Sequence, residues 1–176
     1  MFHRCKIKFG SITNLTDARY AAAAYADWVG FCLIPGHPRY IEPLKAKEII
    51  DWLSGPTIVA EIGSQMPELL MAALEVLMID TVQVDSPEAA AAWKDAGFQV
   101  IGENLTDYNG LQVCLPENSV KPSMEIIDFS RLSLDEIEKN WVKNAPAAIQ
   151  LIGGDESAPG IRDFAQIDEI LELYEL

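Results

Sequence analysis

Apolar positions along this chain follow two rhythms. Short runs rich in Val, Ile, Ala and Phe alternate with longer stretches in which apolar residues recur at helical spacing. The short runs predict strands at Ile7–Phe9, Trp28–Ile34, Thr57–Ile62 and Asp80–Val84. Further runs follow at Phe98–Ile101, Leu111–Leu115, Glu125–Phe129 and Ala147–Ile152. Several are apolar throughout, as a strand buried on both faces needs. The intervening stretches carry helix punctuation. Thr13 or Asn14 offers a cap for an alanine-rich helix over 15–25, and Pro43 and Pro67 can each open a helix. Ser86-Pro87 starts a helix over 88–96 and Gly97 ends it; Ser133 with Glu136 forms a capping box for 134–142, and Asp163 with Gln166 can cap the last helix.

Strands alternating with helices imply right-handed βαβ units and a parallel sheet. The rhythm breaks once. Between Leu105 and Leu111, and again between Leu115 and Glu125, there is room for turns but no convincing helix. The expected fold is therefore α/β, a (β/α)8 TIM barrel shortened by missing or vestigial helices 5 and 6, in one domain over 1–176. An open doubly wound sheet is the competing architecture, but no dinucleotide fingerprint or P-loop follows any strand. The length of 176 residues is short for such a barrel, which usually takes about 200 to more than 400.

Composition narrows the partners. There are 13 Lys and Arg against 27 Asp and Glu, a net charge of −14. That balance repels phosphodiester backbones and anionic lipid, so neither nucleic acid nor membrane is expected as a partner. No apolar run is long enough to span a bilayer and the first residues do not read as a secretory signal. Three cysteines without short spacing suggest a reducing cytoplasm.

Two segments are more specific than the periodicity. Gly30-Phe31-Cys32-Leu33-Ile34-Pro35-Gly36-His37-Pro38-Arg39-Tyr40 resembles the second strand and loop of the phosphoribosylanthranilate isomerase family, and Pro159-Gly160-Ile161-Arg162-Asp163 resembles that family's segment before its last helix. Ile12-Thr13-Asn14-Leu15-Thr16-Asp17-Ala18 and Val82-Gln83 are similar to the segments after strand one and at the end of strand four. The likeness extends over 6–102 and 147–172 and fades over 104–146. It implies an Amadori rearrangement of an aminoaldose phosphate in tryptophan biosynthesis, with no cofactor. In the family a Cys after strand one is the general base and an Asp after strand six the general acid. Backbone amides after strands seven and eight hold the phosphate.

Residue by residue, the implied catalytic set is incomplete. The family's Lys-Ile-Cys-Gly falls on Lys8-Phe9-Gly10-Ser11, so glycine stands at the base position; a two-residue shift puts Lys8 there. Asp128 in Ile126-Ile127-Asp128 resembles the acid motif, but if Leu111–Leu115 is strand six, Leu115 or Pro116 takes that position. Arg39 is implied to hold a substrate carboxylate, Gln83 to contact substrate, and Gly153 and Gly154 to meet the phosphate, although Asp155 beside them would oppose it. The family's His-Gly after Gln83 is missing.

Other residues have candidate roles of their own. Cys32 reads as a small buried strand residue or a relocated base, and His37 as a solvated loop residue or a replacement imidazole. Glu61, Asp85, Glu103 and Asp155, with Asp128, fall at or just after strand ends. They either face solvent or form an acidic mouth for a divalent metal or a cationic ligand. Two function classes follow: an isomerase impaired by loss of its base, or a non-catalytic barrel that binds a small, possibly phosphorylated ligand or a metal, or serves as an interaction module. Missing helices should also expose apolar outer faces near Val100 and Val113, predicting a homodimer through that side.

Overall fold

The computed structural model describes residues 3–142, 146–153, 156–158 and 161–175. Eight parallel strands close into a barrel in sequence order. They are β1 (Lys6–Gly10), β2 (Trp28–Cys32), β3 (Thr57–Glu61), β4 (Thr81–Val84), β5 (Gln99–Glu103), β6 (Gln112–Cys114), β7 (Ile126–Asp128) and β8 (Ala148–Ile152). β1 pairs with β8 from Lys6 opposite Ala148 to Gly10 opposite Ile152, which closes the ring and rules out the open sheet. A short antiparallel pair, β9 (Glu156–Ala158) and β10 (Ile161–Arg162), follows β8.

The helices are α1 (Leu15–Ala23), α2 (Pro43–Ile50), α3 (Pro67–Leu77), α4 (Pro87–Asp95), α5 (Leu134–Asn140) and α6 (Ala165–Leu173). Their ends follow the sequence punctuation. Asn14, rather than Thr13, caps α1 by accepting from Asp17 N. Ser86 accepts from Ala89 N at α4, and Gly97 beyond it adopts φ +91, which glycine tolerates at no steric cost. Ser133 and Glu136 complete the capping box of α5. At α6 the cap is displaced: Asp163 accepts from Ala165 N and Gln166 takes no part in it.

Strand alternation divides the barrel into two environments. Ile7, Phe9, Val29, Phe31, Ala60, Val82, Val84, Ile127, Ile149 and Leu151 face outward into the main core beneath the helices. Small residues on the helices, Ala18 and Ala21 in α1 and Ala89 and Ala90 in α4, are buried and allow close approach. Trp93 of α4 is also buried and donates from Nε1 to Gln65 O, tying α4 to the start of α3. Inside the barrel, Val59, Ile101, Val113, Ile126 and Ala148 form an apolar plug. Above the plug the lining becomes polar.

The missing helices lie where the rhythm breaks. β5 connects to β6 by a loop, and β6 to β7 by two 3-10 turns, Pro116–Asn118 and Pro122–Met124. This flank does not expose the apolar face predicted from sequence. Val113 points into the barrel and is buried, while the outward positions of β6 are Gln112 and Cys114. Leu105 N donates to Gln112 Oε1, and Tyr108 packs over Gly102 while its hydroxyl donates to Val100 O. The surface expected to carry a homodimer is thus covered by loops, and its exposed apolar side chains are Val120 and Met124 of the β6–β7 connection rather than Val113. Among the described residues no helix is long and apolar enough to cross a membrane.

Candidate active site

In a parallel barrel the carboxyl ends of the strands and the loops after them build the site. The floor of this mouth is a buried polar network. Lys8, inward on β1 and fully buried, donates from Nζ to Glu61 Oε1 at 2.6 Å and to Gln150 Oε1 at 2.8 Å. The second oxygen of Glu61 accepts from Ser11 N at 3.0 Å and Ser11 Oγ at 2.7 Å. Lys8 is therefore committed to an ion pair and is not a replacement base.

The same network accounts for the glycine at the base position. A Cβ on Gly10 would lie 3.1 Å from Glu61 Oε1 and 3.3 Å from Gln150 Cδ. On Gly30, across the barrel on β2, a Cβ would lie 2.2 Å from Glu61 Oε1. A side chain at position 10 would therefore press on Glu61 and Gln150, which would have to give by a few tenths of an ångström, whereas one at position 30 would collide with Glu61 outright.

Asp128 ends β7, not strand six, and its Oδ1 accepts from Ser130 N at 2.9 Å. Strand six is β6, followed by Leu115 and Pro116, so that strand end carries no carboxylate.

The wall formed by β3, β4 and β5 is acidic. Glu61 and Glu103 end β3 and β5, and Asp85 follows β4. Gln83 Nε2 donates to Glu103 Oε2 at 2.8 Å. Burial raises the Glu103 carboxyl above its usual range, and the charges of Glu61 and Asp85 push it further, against the opposing pull of Gln83 and Lys8. A carboxyl raised on folding holds its proton longer in the folded chain, so its contribution to stability is lost as pH rises from the ordinary Glu range through the raised value. Glu103→Gln removes that loss. The stability of Glu103→Gln relative to the parent should therefore improve as pH rises from about 4 to about 7. Thermal melts across that interval read the gap, and a constant difference would contradict the burial effect.

Burial also raises the Cys32 thiol, and the charges of Glu61 and Glu103 add to the shift, so a thiolate base there is disfavoured. His37 is exposed and its Nδ1 accepts from Arg39 N, shaping its own loop. Among the described residues no three His, Cys, Asp or Glu side chains converge as metal ligands. Glu61, Glu103 and Asp85 are electrostatic neighbours without forming such a set. Asp155 and Gly154 lie outside the described residues.

The opposite wall is basic. A cavity of about 420 Å3 is lined by Arg39 from the β2 loop, Ser130 and Arg131 after β7, Gly153 after β8, and Asp163 and Gln166 at the start of α6. Asp163 is already used in capping α6. A Cβ on Gly153 would lie 2.4 Å from Asp17 Oδ2, so the carboxylate of α1 explains the glycine without any ligand. The positive charge facing this cavity comes from the two arginines. Arg131 was not among the sequence candidates, although its place just after the Ile126–Asp128 strand was legible. Larger cavities, of about 720 and 680 Å3, lie on the shortened flank beside the ends of β5 and β6, at Asn104 and Cys114, and at its lower edge by Lys6, Trp28 and Ala148.

No family model matches the chain. A curated N-(5'-phosphoribosyl)anthranilate isomerase of Syntrophus aciditrophicus is 37% identical over 94% of this chain and 85% of its own. The phosphoribosyl anthranilate isomerase structure from Thermus thermophilus superposes with a TM-score of 0.72 at 22% identity, covering 96% of this chain and 97% of that one. A phosphoribosyl anthranilate isomerase in complex with reduced 1-(o-carboxyphenylamino)-1-deoxyribulose 5-phosphate superposes with a TM-score of 0.74 at 20% identity, covering 96% and 97%.

Proposed function

The chain belongs to the phosphoribosylanthranilate isomerase family, and on that premise we propose that it binds a small phosphorylated or carboxylated anion at its mouth while its isomerase activity is impaired. The observation that carries this reading is the closure of the base position. The family reaction needs one group to take the C2 proton of the aminoaldose and another to protonate the ring oxygen as the ring opens. Here position 10 is glycine, with no side chain to take a proton, and Glu61 and Gln150 stand close in front of it. Lys8 is held in its ion pair.

The binding half of the site is better preserved. Arg39 and Arg131 face one cavity, and their planar guanidinium groups suit the paired oxygens of a phosphate or carboxylate. Asp128, beside them on β7, is the one strand-end carboxylate on this side among the described residues, and it takes the place of candidate acid. Arg39 and Arg131 supply the positive charge for an anion here despite the overall charge of −14, and Asp163, which also lines the cavity, is engaged with Ala165 N.

Titration with inorganic phosphate and with anthranilate, followed calorimetrically, tests the reading. Both should bind in the millimolar range or tighter, and Arg131→Ala should weaken phosphate about tenfold, the loss of one charge-assisted contact of about 1.4 kcal/mol. Arg39→Ala should do the same for anthranilate. Affinities indifferent to both substitutions, or no binding of either anion, would overturn it.

A further inference from the structure

The acidic wall has a recognition element that the anion reading does not use. Gln83 is only 4% exposed, and its Oε1 is buried without a hydrogen-bond partner among the described residues, while its Nε2 is fixed on Glu103 Oε2. A buried amide oxygen left without a donor is costly, and the group that relieves it must bring N–H or O–H. Around it the charge is unbalanced. Glu61 and Asp85 both bear on Glu103, and Lys8, the cation that also reaches it, is already bound to Glu61.

The barrel itself shows what satisfies such an arrangement. One strand pair away, the Lys8 ammonium sits between a carboxylate oxygen, Glu61 Oε1, and an amide oxygen, Gln150 Oε1. Glu103 and Gln83 present the same two kinds of acceptor, and among the described residues no ammonium donates to either. We propose that Gln83 and Glu103 form a subsite for a protonated amine, so that the ligand of this mouth is an anion that also carries an ammonium group. An entering ammonium donates to Gln83 Oε1 and places its charge against Glu103 and Asp85, and it relieves the crowding of carboxylates on this wall. Divalent metal is the poorer fit, since no three ligating side chains converge among the described residues. The anionic end of the ligand rests on the reading of the arginine cavity given above; the amine end does not depend on it.

Paired probes separate the two. Alkyl phosphates of two to five carbons are compared with the matching ω-aminoalkyl phosphates by calorimetry. At one or more lengths the amine should tighten binding at least tenfold. Glu103→Gln and Gln83→Met, both close in size to the original, should shrink that gap below threefold and leave the alkyl phosphates unchanged. A series with no gap at any length, or a gap that survives both variants, overturns the proposal. If no phosphate binds at all, the anion reading fails on its own. In that case n-butylammonium decides the amine subsite: a chemical-shift change at the Gln83 side-chain amide upholds it, and an unmoved resonance overturns it.

Discussion

Glu61→Gln should destabilise the barrel by about 3–5 kcal/mol, the cost of leaving one member of a buried ion pair without its partner. Lys8 is fully buried and has two partners, Glu61 and Gln150, so after the substitution its ammonium faces only neutral amide oxygens. Ser11 also loses a charged acceptor for its hydroxyl and its backbone N–H. Urea unfolding should show a lower midpoint with little change in slope, because the surface exposed on unfolding stays the same. Lys8→Met alone should also be damaging, since it leaves the buried Glu61 carboxylate without its cation and with only the two Ser11 donors. The double variant should lose much less than the sum, because two neutral side chains of similar volume replace the pair. A loss below about 1 kcal/mol for Glu61→Gln would mean that water reaches Lys8 and that the pair does not hold the floor of the mouth.

Isomerisation of phosphoribosylanthranilate should proceed about 10²–10⁴-fold more slowly than in a relative with an intact base, the range that general-base help contributes. Loss of substrate fluorescence with protein in excess measures it, with the Thermus thermophilus isomerase as the reference. Turnover within tenfold of that reference would overturn the impaired reading. Asp128→Ala decides the role of the β7 carboxylate in the same assay. If Asp128 protonates the ring oxygen, the residual rate falls by a further 10² or more. An unchanged residual rate removes it from the chemistry, leaving it the contact to Ser130 N that it already makes.

Most of the framework was legible because its signals are local. Pro43, Pro67 and Ser86-Pro87 mark helix starts within a few residues, and the apolar runs between them have the length of strands. β6 was the weak point. It is three residues long, too short for alternation to set which face is inside, and the apolar content of Leu111–Leu115 suggested an exposed Val113. In the barrel the polar Gln112 turns outward to hold Leu105 N, and Val113 turns in. The strand number of Asp128 depended on the same short element, since the carboxylate moves from strand six to strand seven once β6 is counted.

The site was legible as a set of positions but not as a set of pairings. That Glu61, Gln83, Glu103 and Asp128 fall at strand ends follows from the period of the chain. That Glu61 meets Lys8, 53 residues away, or that Arg131 faces Arg39, depends on ring closure and stagger, which no spacing encodes. Gly10 and Gly30 read in sequence as a lost base and a strand glycine. In the barrel both face Glu61 of β3, which excludes a Cβ at position 30 and, with Gln150, crowds one at position 10.

That shared volume makes return to an intact base a matter of order. Cysteine at position 10 meets Glu61 and Gln150, which are pinned by Lys8 and Ser11. Removing Glu61 first leaves Lys8 buried and unpaired. The first step requires Glu61 or Gln150 to give way, and the second leaves a buried charge alone. The barrel floor therefore couples the base position to the ion pair: a side chain restored at position 10 comes with a resettled Glu61 or Gln150.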